Sequence, residues 1–393
     1  MFQTPIRALA TLRLRVPPVI FAASAISTLV FIATPFLITG LSEQGNINVN
    51  RVGLISSTQL LGFVIGSWGS GRVFRPRRKL LVAAVLLGVI ANVGSGLVEF
   101  WPLVGFRFVN GIALGTIAWL AWAEVFGDDS RTGDIAVIGP IVGTIGSPAV
   151  GMFLDRFGTD TLFIALGVLH LVPLLFVHTS RLNSGERVHR ERHRPTRSAL
   201  LAMLALGCFT LGGSSVFVFS NSIGRGDVGM SALLVSLVYS CNSIAGIPSS
   251  RYSGQRKHAG RWILATAACA ITLGFAHHPI AFALAVTSWG FFFWMAVPAC
   301  FSVLAAHSKY PAERAGDAQA YMAGGRVIGP LIGGTMFAVS PQLLGLVGAA
   351  IMIMAAVTFI VLERRQGPYW RRNSRNDPVA PISTNAPELS AGR

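Results

Sequence analysis

Arg314-Ala-Gly316-Asp317, followed by Gly329-Pro330-Leu-Ile-Gly333, is the stretch whose reading decides the fold. It lies in a long apolar run, and 183 residues earlier it has an echo: Arg131-Thr-Gly133-Asp134, then Gly146-Ser-Pro148-Ala-Val-Gly151. A rival register pairs Val137-Ile-Gly139-Pro140 with Val327-Ile-Gly329-Pro330, but it leaves the Arg-x-Gly-Asp pair unmatched. In either register, a hydrophobic module is written twice.

Composition says what kind of module this is. The chain has 393 residues, 52% apolar and only 12% charged, with a mean hydropathy of +0.59. A soluble domain carries about 25% charged residues. The charges here sit in short clusters between apolar runs of about 20 residues, the length that crosses a bilayer. Twelve such runs can be marked, at 17–41, 52–71, 80–98, 101–125, 134–154, 160–179, 198–220, 229–249, 261–277, 279–305, 317–339 and 341–362. The first is too long for a secretory h-region and no small-residue cleavage site follows it, so it reads as a membrane span. The expected fold is all-α and integral to the membrane: twelve transmembrane helices in two six-helix, pseudo-symmetric bundles.

A net charge of +16 would raise nucleic-acid binding in a soluble protein. Its distribution answers that. Arg51, Arg156 and Arg225 alone fall in loops on one side; Arg107 and Arg326 fall within spans; all other Lys and Arg lie on the other side or in the termini. Such a bias places the basic side in the cytoplasm, against anionic lipid, with both termini there. The reading is of a multi-pass protein of the cell (inner) membrane, a monomer in the lipid bilayer, with no nucleic acid and no cofactor. Residues 1–180 form the first bundle and 181–197 a basic cytoplasmic linker. Residues 198–363 form the second bundle, and 364–393 a polar tail that reads as disordered. Cys208, Cys241, Cys269 and Cys300 fall singly in apolar runs and read as buried, inert thiols.

Four features carry a resemblance. In the fourth span Arg107-Phe-Val-Asn110-Gly111 stands where an Arg-x-x-Gln-Gly pattern would, with Asn at the Gln position. The loops Arg72-Val-Phe-Arg75-Pro-Arg77-Arg78-Lys79 and Arg251-Tyr-Ser-Gly-Gln-Arg256-Lys257 are similar to a Gly-x-x-x-Asp-Arg-x-Gly-Arg-Arg signature. The fifth and eleventh spans carry Gly/Pro elements like Gly-Pro-x-x-Gly-Gly. Together, in this order, they resemble the major facilitator superfamily over nearly the whole chain, its efflux branch included. The resemblance implies secondary transport of a small organic solute by alternating access, with efflux coupled to proton entry as the leading mechanism.

The residues say where to look for the site. Gly325, Gly329 and Gly333 recur every four residues, as do Gly62 with Gly66 and Gly111 with Gly115, so helices can cross closely there. Pro148 and Pro330 interrupt matching helices of both halves. The gating and hinge set is therefore Gly146, Pro148, Gly151, Gly329, Pro330, Gly333, Asp317, Arg72, Arg77 and Arg78. A cation within the bilayer costs about 2.5–3.5 kcal/mol and is a functional candidate by default. Arg107 and Arg326 are such cations, and Arg326 breaks the repeat, since Gly143 holds its matching position. With Asn110, Gln59, Tyr239, Asn242, Trp294 and Tyr321 they make up the expected substrate-binding set. The first span holds no acid between Val19 and Leu41, which leaves Asp134, His170 and Glu124 to carry protons. Two other readings stay open: proton-independent uptake or exchange of an organic anion on Arg107 and Arg326, and a membrane ligand sensor that transports nothing. No GxxxxGK[ST], HExxH or GxSxG occurs, so no enzyme is indicated.

Overall fold

The computed structural model describes residues 16–44, 49–125, 129–180, 182, 193–250, 257–309 and 311–365. These form helices α1 (Pro18–Gln44), α2 (Val49–Val73), α3 (Arg78–Ser95), α4 (Phe100–Val125) and α5 (Asp129–Leu169). A second set follows: α6 (Arg197–Phe217), α7 (Ala232–Ser250), α8 (Ala259–Gly274), α9 (Pro279–Ala306), α10 (Pro311–Phe337) and α11 (Pro341–Arg364). No strand occurs among the described residues. Each stretch marked as a span in the sequence falls on helix.

Nine elements among the described residues are long and apolar enough to cross a membrane. That is fewer than twelve for identifiable reasons. The fifth and sixth expected spans are one element, α5, whose only non-helical residue is Gly158 at φ 79°, a left-handed conformation that glycine adopts without strain. A polar loop was expected there; a single residue makes the turn. Helix α8 has only 16 residues, and α10 opens with a polar turn. Large apolar side chains on the outer surface, such as Leu97, Trp101, Ile145 and Leu284, remain exposed, as a lipid-facing surface requires.

Packing gathers the helices into two sets. In the first set α2 packs on α4, α4 on α3, and α1 on α5; in the second α10 packs on α6, α11 on α6 and α8, and α9 on α7 and α8. Two long-helix contacts join the sets, α2 with α10 and α5 with α7, and α1 also meets residues 220–222. Under the repeat the second span matches the eighth and the fifth matches the eleventh. The two joints are therefore the same contact made twice, with the halves exchanged.

The glycine faces act within the first set. A Cβ at Gly111 would strike the Gln59 carbonyl oxygen, and one at Gly62 the Phe108 carbonyl, so α2 and α4 cross with backbones in contact. This crossing brings Gln59 against Arg107. One expectation about the cysteines is corrected: Cys269 and Cys300 are buried, but Cys241 is exposed and Cys208 only partly covered. A weakly polar thiol can face lipid as readily as a protein interior, so an apolar run does not imply burial.

Candidate functional site

A cavity of about 410 Å³ lies between the two helix sets, within the size range of small-molecule sites. Phe31, Thr34, Pro35, Ser56, Gln59 and Leu60 line it from α1 and α2. Phe217, Asn242, Trp289, Phe293, Trp294 and Arg326 line it from the second set. Of the substrate-binding residues expected from the sequence, Gln59, Asn242, Trp294 and Arg326 come together here. Trp289, Phe217 and Phe293 were missed, because an aromatic in an apolar run gives no sign of facing a cavity.

The two intramembrane arginines have different surroundings. Arg326 is half-buried and makes no hydrogen bond or ion pair among the described residues. No Asp or Glu lines the cavity with it. Most neighbouring hydroxyls are already committed: Thr34 donates to the Val30 carbonyl, Thr210 to that of Met322 and Ser214 to that of Leu211. The Asn242 amide nitrogen donates to the Val286 carbonyl at 2.6 Å. The wall is thus mostly apolar, with five aromatic side chains and one positive charge that has no partner among the described residues.

Arg107 is fully enclosed, at 0% exposure, and does not reach the cavity wall. Its Nε and Nη2 both donate to Gln59 Oε1, at 3.2 and 2.6 Å, and its Nη1 donates to Asn92 Oδ1 at 2.9 Å. The Asn110 amide, set with its oxygen toward the guanidinium, accepts from Nη2 at 2.8 Å. The charge sits 5.0 Å from the Phe163 ring centroid. Three neutral amide oxygens and an aromatic face therefore hold the cation, and no carboxylate is among these partners. Asn92, invisible as a site residue in the sequence, completes the network. Its only signal was an amide in mid-span, which a buried arginine needs as an acceptor.

His170, buried behind this network, bonds the Leu166 carbonyl through Nδ1 at 2.9 Å; its Nε2 has no partner among the described residues. Glu124 is partly buried near the end of α4. The Asp134, Arg72 and Arg131 side chains lie outside the described residues, as do most of the linker and the tail. Tyr239 is buried away from the cavity, bonded to Ser220 and packed on Phe36 and Phe217. Tyr321 is partly buried beside Gly207, also off the cavity wall.

The hinge candidates divide by what they touch. Gly146 faces Leu29 of α1, and Gly329 and Gly333 face Ser214 and Ser215 of α6, so each packs on the first helix of its own half. Gly151 faces Ser236 of α7 in the other half. The Pro330 carbonyl faces Gly53 of α2, also in the other half. Pro148 is partly buried, and Arg77 and Arg78 are exposed at the start of α3. Asp317 pairs with Arg314 at 2.6 Å.

Further cross-half contacts gather toward the end that carries Arg225. Thr39 and Ser222 share a hydrogen bond at 2.8 Å, and Ser240 donates to the Thr144 carbonyl at 2.7 Å. Arg225 reaches Glu43 at 3.4 Å and Asp155 at 3.5 Å. The halves are thus closed on each other at the end opposite the basic loops.

Comparison with known proteins agrees with this geometry. The family model of the Major Facilitator Superfamily matches residues 19–326, well over half of the chain. The chain is 27% identical over 154 residues to an uncharacterized MFS-type transporter of Yersinia enterocolitica, a match spanning 35% of this chain and 39% of that protein. Among solved structures it is similar to a bacterial homolog of the human lysosomal transporter Spinster in an inward-facing, unoccupied conformation. That match has a TM-score of 0.65 at 15% identity and covers 92% of this chain and 98% of the other. The nucleoside transporter NupG matches with a TM-score of 0.66 at 15% identity over 88% and 99% of the two chains. The human organic anion transporter MFSD10 matches at 0.64 and 14% identity over 91% and 100%. At these identities the structural likeness concerns the fold. The chain belongs to the Major Facilitator Superfamily, whose members are membrane transporters.

Proposed function

We propose that this superfamily member carries a small organic anion with an aromatic or apolar body, by alternating access about the cavity between its two six-helix halves. The observation that carries the reading is Arg326: a cation without a partner among the described residues, in an aromatic-rich cavity that none of their Asp or Glu side chains lines. A cation held within the bilayer is costly unless something neutralises it, and here the ligand is the group available to do so. Alternating access follows from the two symmetry-related joints, which let one half rock on the other. The basic loops support cytoplasmic termini, in which case the closed Arg225 end faces outward and the cavity is reached from inside. The protein acts as a monomer in the cell membrane. Without a carboxylate in the cavity, transport is by uptake or exchange of the anion and needs no proton.

Proteoliposome counterflow of radiolabelled benzoate, with benzamide as the neutral analogue, tests this. Benzoate accumulates, benzamide does not, and Arg326→Gln abolishes the flux while the purified variant stays folded. Equal flux of both compounds, or benzoate flux unchanged in Arg326→Gln, sinks the reading. Binding of benzoate with no flux would support a sensor instead.

One observation favours a second reading, efflux in exchange for protons. His170, whose Nε2 has no partner among the described residues, sets its Nδ1 3.5 Å from Asn92 of the Arg107 network, whose Gln59 reaches the cavity. In that case an uncoupler stops the flux and His170→Gln leaves binding intact but abolishes its dependence on the pH gradient.

A further inference from the structure

We propose that the anion is held between Arg326 of one half and the side-chain amide of Gln59 of the other, and that Arg107 is the positioning residue that makes Gln59 a donor. This rests on the reading of Arg326 as the anion site and adds to it a second ligand group, its orientation and its role in closure.

The orientation follows from elementary chemistry. A guanidinium has five N–H donors and no acceptor, so an amide that bonds it must turn its oxygen inward. Gln59 Oε1 takes two bonds from Arg107, which leaves its NH₂ pointing away. That Nε2 has no partner in the described chain, although Gln59 is only 2% exposed. A buried donor left unpaired costs about 1–3 kcal/mol, and such groups call for an explanation. Here the side chain lines the same cavity as Arg326. The amide nitrogen itself is closed off from the open space, so an anion there supplies the missing acceptor when the side chain shifts toward it.

Two neighbours support the assignment. Ser56 lies one turn before Gln59 on α2, lines the cavity, and makes no hydrogen bond among the described residues. It offers a second donor beside the amide. Arg107 itself is held by neutral amides only, so its charge is not cancelled by these partners and adds to a positive field behind Gln59. The cavity therefore presents donors from both sides: Arg326 from α10, Gln59 and Ser56 from α2. Helices α2 and α10 are also one of the two joints between the halves. A ligand that bonds both is bound most tightly when the joint is closed on it, which gives the differential affinity that a conformational change requires.

Binding of benzoate and benzamide to the purified full-length protein, measured by calorimetry, separates the possibilities. Gln59→Leu weakens benzoate by about tenfold to a hundredfold, the worth of a hydrogen bond to a charged group. Gln59→Glu gives Arg107 a carboxylate partner and puts negative charge at the cavity, so it abolishes benzoate binding while the thermal unfolding midpoint is kept or raised. Arg107→Met lets the amide rotate, so the preference for benzoate over benzamide narrows. That ratio would not move if Arg107 served packing alone. Should Arg107→Met fail to fold, the two Gln59 variants decide the matter. If Arg326→Gln loses benzoate while Gln59→Leu and Gln59→Glu bind it like the wild type, the Gln59 assignment is overturned and the Arg326 site stands. If the wild type does not prefer benzoate to benzamide, both fall together.

Discussion

Arg225 of the second half lies with Nε 3.4 Å from Oε1 of Glu43 in the first half, and its Nη1 lies 3.5 Å from Asp155. One guanidinium thus ties together the end of α1 and the stretch of α5 just before its Gly158 turn, across the interface and beside the Thr39–Ser222 hydrogen bond. All three charged groups are partly exposed, so each pair contributes only about 0.2–1 kcal/mol. This strength suits a latch that must open in every cycle. Arg225→Gln shifts the population toward opening at this end by a few-fold. The rate of maleimide labelling at a Cys introduced for Thr39, itself buried at 2% exposure, reads the shift. An unchanged rate would show that the bridges do not hold the closed state.

Gly53 tests the joint between α2 and α10. A Cβ there would run into the carbonyl oxygen of Pro330 in the other half, a backbone atom that cannot swing aside. Gly53→Ala therefore wedges the halves apart, an overpacking cost of about 1–3 kcal/mol set against the closed state. Gly62→Ala meets the Phe108 carbonyl inside one half and destabilises the fold instead. The expected contrast is lost transport with a normal melting temperature for Gly53→Ala, and a lowered melting temperature for Gly62→Ala. If both variants lower the melting temperature alike, α2 and α10 do not part during transport.

Removing the buried cation strands its acceptors. In Arg107→Leu the oxygens of Gln59, Asn92 and Asn110 lose their shared donor inside the protein. At about 1–3 kcal/mol for each stranded group, the loss is about 3 kcal/mol or more. Thermal unfolding in detergent measures it. Asn92→Leu is the informative partner variant, because it removes one acceptor and leaves the cation. It should cost less than Arg107→Leu. The reverse order would mean that the three amides do not depend on the arginine.

The cavity wall predicts how flux responds to pH. No Asp, Glu or His lines it, and a sulfonate keeps its charge throughout the neutral range. Uptake of benzenesulfonate into proteoliposomes should then be flat between about pH 6 and pH 8, around the ordinary histidine range. A step within that window, removed by His170→Gln, would instead favour the proton-coupled reading.

The helices were readable because an apolar run of sufficient length has one stable form in lipid, where every backbone group must bond within its own segment. The repeat around Arg314–Gly333 showed matched Gly/Pro interruptions in both halves, while which helices meet across the halves was read only from the packing. The turn at Gly158 was not readable, since a lone glycine in a polar interval looks like any loop residue. Asn92 escaped notice because its importance depends on an arginine fifteen residues away in sequence and on another helix. Trp289 and Phe217 were silent because the sequence does not distinguish lipid, protein core and cavity as surroundings for an aromatic ring.

By itself, the sequence determined that the chain crosses a membrane many times as a doubled module, and that two arginines lie within it. Both looked alike there, each a single cation in an apolar run. Only the tertiary structure told them apart. Arg107 lies where α2 and α4 cross closely on their glycines, and three amide oxygens converge on it. Arg326 lies at the joint between halves, where the matching position in the repeat is a glycine and no carboxylate lines the cavity. Whether a buried charge is satisfied depends on groups that packing brings from distant segments, and the local sequence does not carry that information.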